Sequence, residues 1–142
     1  MTVLKTSVLV LDCADPEPLA RFYAELLGAT AGPATGDGEL ILVTGDSGVV
    51  PLGIRRDRNH LPPSWPPPED SQQAHLRILV ADDDLDEAER EAVALGARPL
   101  AAEEDGSRLD DRTTLRRFSD PAGHAFVLAA VREDPAAHGG DR

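Results

Sequence analysis

The chain has 142 residues, a formal charge of -12, and a composition that is 41% hydrophobic but only 4% aromatic. That length makes one ordinary domain or two very small ones, with an aliphatic core and no need of a covalent staple. The acidity argues against a nucleic-acid partner, which requires a basic patch, and the lone Cys13 excludes an internal disulfide or a cysteine-rich zinc site.

No stretch approaches the length of a membrane span, and no apolar signal run follows residues 1–5, so no membrane partner and a cytoplasmic location are expected. Residues 7–11 read as a buried strand. Asp15 before Pro16 is a helix start, with an N-cap residue and proline at the first helical position. From Glu17 to Leu27 the apolar residues Leu19, Phe22, Tyr23, Leu26 and Leu27 follow the spacing of an amphipathic helix, and Gly28 suits its C-cap. Residues 39–44 read as a strand and Gly45-Asp46-Ser47-Gly48 as a hairpin turn. A returning strand over 49–55 follows, where Pro51 hints at an edge or a bulge. The stretch 56–73 holds Pro62, Pro63, Pro66, Pro67 and Pro68 around Trp65, a stiffened crossover whose tryptophan suits a lid over a cavity or a plug into the core.

The second half repeats the first. A strand over 74–80 puts Leu76, Ile78 and Val80 on one apolar face and His75, Arg77 and Leu79 on the other. That suits a strand with helices on one side and a cavity on the other, and equally an edge strand with one face in water. A helix over 85–95 ends at Leu95-Gly96-Ala97, which repeats Leu27-Gly28-Ala29 at a spacing of 68 residues. A short strand over 98–101, an acidic loop over 103–111 and a strand over 113–119 come next. The turn Asp120-Pro121-Ala122-Gly123 leads into a last strand over 124–131, and 133–142 reads as a frayed tail. Each half is a strand, a helix and three strands. Two such halves can pair their free faces around a shared cleft.

Leu11-Asp12-Cys13-Ala14-Asp15-Pro16, followed by Phe22-Tyr23-Ala24-Glu25-Leu26-Leu27-Gly28, resembles the opening module of the vicinal oxygen chelate superfamily. That superfamily includes glyoxalase I, extradiol dioxygenases, fosfomycin resistance proteins and bleomycin-binding proteins. Ala74-His75, Leu95-Gly96-Ala97 and Asp120-Pro121-Ala122-Gly123-His124 resemble its second module. With Trp65-Pro66 ahead of His75, they look most like the bacterial glyoxalase-like domain proteins. The resemblance implies an α+β fold: two βαβββ modules forming a curved, mostly antiparallel sheet around a cleft. It implies a single domain over 1–131, with module one at 6–56, the crossover at 57–73, module two at 74–131 and a tail at 132–142. It also implies a homodimer.

In metal-dependent members of the superfamily, a His in the first strand and a Glu in the last strand of each module converge on one divalent ion. The resemblance puts these positions at Val8, within 51–53, at His75 and at Val127. Of these only His75 can ligate, so no cofactor is expected. A divalent metal would need His60, His124 or an acidic-loop carboxylate to complete the set. The expected ligand pocket carries Val8, Val10, Trp65, His75, Arg77, Leu79, Val127 and Ala129, joined by one of Thr114 and Arg116. It is apolar with a few polar groups. Arg77 suits a carboxylate or phosphate, and His75 suits ligation or proton transfer; both equally suit ion pairs within the chain. The expected function is a small-molecule-binding protein without the full metal site. The rivals are a lyase, isomerase or dioxygenase using His75, and a drug-sequestering protein of the bleomycin-binding type.

Overall fold

The fold is described from a computed structural model, for residues 3–36, 38–59, 74–100 and 115–131. The chain divides into two compact units, Met1–Pro62 and Pro63–Arg142. Each holds a four-stranded mixed sheet and one α-helix, consistent with two βαβββ modules.

The first unit runs β1 (Leu9–Cys13), α1 (Pro16–Leu27), β2 (Thr30–Ala31), β3 (Leu40–Thr44) and β4 (Leu52–Arg56). Its sheet order is β1-β4-β3-β2, with β1 parallel to β4 and the other pairs antiparallel. Asp15 occupies the N-cap position in extended conformation, yet its side chain makes no capping hydrogen bond; Pro16 begins the helix as expected. Gly28 closes α1 at φ 65°, a left-handed conformation that costs a side-chain-bearing residue about 1–2 kcal/mol. Helix residues Leu19, Ala20, Phe22 and Tyr23 are buried, as are the alternate sheet residues Cys13, Ile41, Val43, Leu52 and Ile54. Burial of each large aliphatic side chain contributes roughly 1.5–3 kcal/mol. The opposite face carries Val8, Val10 and Leu42, all exposed. Pro51 does not mark an edge. It precedes β4, which lies inside the sheet, and its carbonyl accepts the Leu9 N–H at 3.0 Å.

The second unit runs β5 (Leu76–Ala81), a 3-10 turn (Asp82–Asp84), α2 (Leu85–Leu95), β6 (Arg98–Pro99), β7 (Leu115–Ser119) and β8 (Ala125–Val131). Its order, β5-β8-β7-β6, repeats that of the first, with β5 parallel to β8. Leu85 and Ala92 of α2 are buried, and Phe118 and Phe126 stack at 5.4 Å between ring centres. The turn after β7 is held by Asp120. Its carboxylate accepts the N–H groups of Ala122 at 2.8 Å and His124 at 3.0 Å, and lies 3.0 Å from His124 Nδ1. Among the described residues, no helix is long and apolar enough to cross a membrane.

Candidate functional site

Strand pairing in the second unit sorts its side chains into two faces. Arg116 pairs with Leu128, and Phe118 with Phe126. Arg116 also reaches α2, at 2.8 Å from Asp86 and 2.7 Å from Glu89, so the even-numbered face of β7 is the one under the helix. Odd-numbered residues therefore share the face away from α2. There Val127 lies between Arg77 on β5 and Arg117 on β7, and Ala129 lies between Leu79 and Leu115. Ser119 pairs with Ala125, and His75, one residue ahead of the Leu76–Phe126 pair, falls by alternation at the same level.

Residue size gives this face its relief. β8 contributes only Ala125, Val127 and Ala129, which are nearly inaccessible despite facing away from the helix. Longer side chains border them on both neighbouring strands, with Leu79 63% exposed. By side-chain length alone, the small row of β8 between longer neighbours outlines a shallow trough. At one end its walls carry His75, Arg77, Arg117 and Ser119; at the other they carry Leu79 and Leu115. Ser119 is 8% exposed, and its Oγ is buried without a hydrogen-bond partner. A hydroxyl in that state costs about 1–3 kcal/mol relative to one that is paired.

His75, Arg77, Leu79, Val127 and Ala129 thus share one face, as expected from alternation. Val8 and Val10 belong to the first unit, where Val10 pairs with Gly53 on the face opposite α1. At the end of that face Asp12 accepts from Arg55 Nε at 2.7 Å. Arg116 is misplaced in the expected pocket, because it lies under α2 on the other side of β7. The residue at that level is Arg117, which the sequence reading passed over. The signal for it was the length of the turn: residues 120–124 separate the paired Ser119 and Ala125, so 117 must oppose 127. Trp65, His60, Thr114, His138, residues 60–73 of the crossover, the acidic loop and the tail lie outside the described residues.

The metal expected of the superfamily meets a poor donor set. Val8, residues 51–53 and Val127 carry no side-chain donor, and His124 is engaged with Asp120 in the turn. Among the described residues, no group of three or more His, Cys, Asp or Glu is placed to hold a metal ion. These residues do not fit the group.

A family model described as glyoxalase-like domain matches residues 8–129. No curated protein matches the sequence. Among solved structures, the fosfomycin resistance protein FosX from Listeria monocytogenes is 16% identical, over 92% of this chain and 93% of that one, at a TM-score of 0.65. A variant of that protein is complexed with Mn(II) and 1S,2S-dihydroxypropylphosphonic acid. FosX from Mesorhizobium loti is 15% identical, over 98% and 99% of the two chains, at a TM-score of 0.64. A glyoxalase/bleomycin resistance protein/dioxygenase family enzyme from Burkholderia phytofirmans PsJN is 14% identical, over 88% and 97%, at 0.63. At such identities the likeness carries the fold alone. The family match spans most of the sequence, and the chain belongs to the glyoxalase-like domain family of the vicinal oxygen chelate superfamily.

Proposed function

We propose that this protein binds a small organic molecule along the β8 trough and does so without the superfamily's metal centre. The observation that carries the reading is the row Arg77–Val127–Arg117. Val127 stands where the family resemblance expects a metal-binding carboxylate, and its neighbours on both sides are cations rather than ligands. A small-residue floor with polar groups at one end and apolar walls at the other is the usual make-up of a small-molecule site. The test is a thermal-shift screen of the full chain against a metabolite library, repeated for His75→Ala and Arg77→Ala. A ligand whose shift falls in either variant supports the reading. A screen without any ligand class overturns it.

A metal-dependent lyase, isomerase or dioxygenase using His75 is the second reading, favoured by the Mn(II) complex of the Listeria protein. Elemental analysis of untagged protein, followed by titration with nickel, zinc, manganese and iron(II), separates the two. We expect no bound metal and no thermal shift; one tightly held ion per chain would replace the binding reading by the enzymatic one. Drug sequestration of the bleomycin-binding type draws support from the net charge of -12, which favours a cationic ligand. Cells expressing the chain would then survive the drug. The family background also supports a cytoplasmic homodimer, testable by sedimentation equilibrium.

A further inference from the structure

We infer that the Asp120–His124 turn is a proton-operated clasp. A proton taken up by the His124 ring converts a hydrogen bond to the buried Asp120 carboxylate into an ion pair, and so tightens the β7–β8 hairpin as pH falls through the histidine range.

Three observations converge. The first is the geometry of the pair. His124 Nδ1 lies 3.0 Å from Oδ2 and 3.2 Å from Oδ1 of Asp120. Oδ1 also accepts the backbone N–H groups of Ala122 and His124, so the carboxylate is held in place whatever the ring does. A carboxylate only accepts, so the neutral ring meets it with Nδ1–H and Nε2 is the atom that takes the proton.

The second is burial. The Asp120 side chain is 0% exposed and that of His124 15%, so water screens the pair weakly. A carboxylate at hydrogen-bond distance favours the charged ring over the neutral one. Burial acts the other way, but on a ring that keeps some contact with water.

The third is the surroundings. A side chain built on Gly96 would meet Pro121 Cγ at 3.4 Å, so the turn abuts the C-terminal end of α2. That end is the negative pole of the helix, and residues 92–96 carry no charge. The charged groups of α2 lie further back: Arg116 spans Asp86 and Glu89, Arg90 pairs with Glu87, and Glu91 is exposed. Arg98 pairs with Ser119, and Arg117, Arg77 and His75 share that face. His124 precedes Ala125 and alternates to the α2 side. Asp120 thus supplies a charge in direct contact with the ring.

Stability that depends on the charged ring is fully present below the unfolded histidine value, about pH 6.5, and is lost as pH rises through the higher folded one. The effect reaches the middle of the sheet, because β8 pairs with both β5 and β7.

NMR titration of the full chain tests the inference, with the His124 ring signal identified by its loss in His124→Gln. The ring is expected to bind its proton about 3- to 10-fold more tightly than an unfolded histidine, and Asp120→Asn to remove most of that gain. In urea unfolding, the advantage of wild type over His124→Gln should grow by about 3- to 10-fold in equilibrium constant from about pH 8.5 to about pH 5.5. Glutamine keeps the backbone N–H that Asp120 accepts and offers a side-chain donor, so this comparison isolates the proton. A ring that titrates at or below about pH 6.5, a titration indifferent to Asp120→Asn, or an advantage that does not change with pH overturns the inference. Should Asp120→Asn fail to fold, the wild-type titration and the His124→Gln series decide without it.

Discussion

Arg116 Nη1 donates to Glu89 Oε1 at 2.7 Å, tying β7 to α2 and committing Arg116 to the covered face while its neighbour Arg117 takes the other. The Arg116 side chain is only 15% exposed and also lies 2.8 Å from Asp86. Burial lowers the pKa of this guanidinium, but the hydrogen bonds to Asp86 and Glu89 more than offset that and leave it above the ordinary arginine value. Arg116→Met is therefore expected to cost about 1–3 kcal/mol in urea unfolding, because the half-buried Glu89 loses the hydrogen bond from Arg116. A folded pKa above the unfolded one gives a contribution present at every pH below the unfolded value, lost only as pH rises through the folded one. The difference between wild type and Arg116→Met should thus stay constant between about pH 6 and 9.

That division also shows where sequence reading ran short. Helices and strands were legible because their signals are local. Asp15-Pro16 and Gly28 bracket α1, and the alternation over 74–80 separates Leu76, Ile78 and Val80 from His75, Arg77 and Leu79. Motifs placed in order gave the family. Which arginine of β7 faces Val127 was a matter of pairing register, and a shift of one residue exchanges the two faces of a strand. The turn Asp120–His124 contained that register, yet its motif residues drew attention to the turn itself rather than to its length. Ser119 was invisible in principle. An orphaned hydroxyl is defined by what surrounds it, and nothing about a serine before Asp-Pro announces burial.

The buried Asp120 carboxylate accepts two backbone N–H groups and faces the His124 ring. Removing it strands donors inside the β7–β8 turn. Asp120→Ala should cost about 2–4 kcal/mol, since more than one buried bond is lost. Asp120→Asn keeps one acceptor oxygen for the two N–H groups and should cost less than half as much. His124→Ala, which removes the ring and its contact with Asp120, should cost about 0.5–1.5 kcal/mol. Chemical denaturation of the three variants checks the order. A His124→Ala variant as damaged as Asp120→Ala would mean that the ring, not the backbone, holds the turn.

Ser119→Ala separates function from folding. Because Oγ is unpaired inside the protein, its removal leaves no partner behind and relieves an uncompensated desolvation. Thermal unfolding of the variant should be unchanged or raised, by up to about 1 kcal/mol in stability. A loss above about 1 kcal/mol would show that the hydroxyl is bonded in solution.

Val127 offers the sharpest test of the row it occupies. The side chain is 3% exposed, and a carboxylate in such a place is ordinarily costly, because desolvation disfavours its charged form. Beside Arg77, which no ion pair engages among the described residues, the same carboxylate would be paired. Ala129, one level along β8 between Leu79 and Leu115, has no cation in its row and serves as the reference. Glutamate is larger than either native residue, so each site needs a glutamine variant of equal shape. The Glu-minus-Gln difference then isolates charge from crowding. At position 127 that difference should favour glutamate relative to position 129 by about 1–2 kcal/mol in urea unfolding at neutral pH. Equal Glu-minus-Gln differences at the two sites would mean that the Arg77 guanidinium does not reach Val127 across the β5–β8 pair.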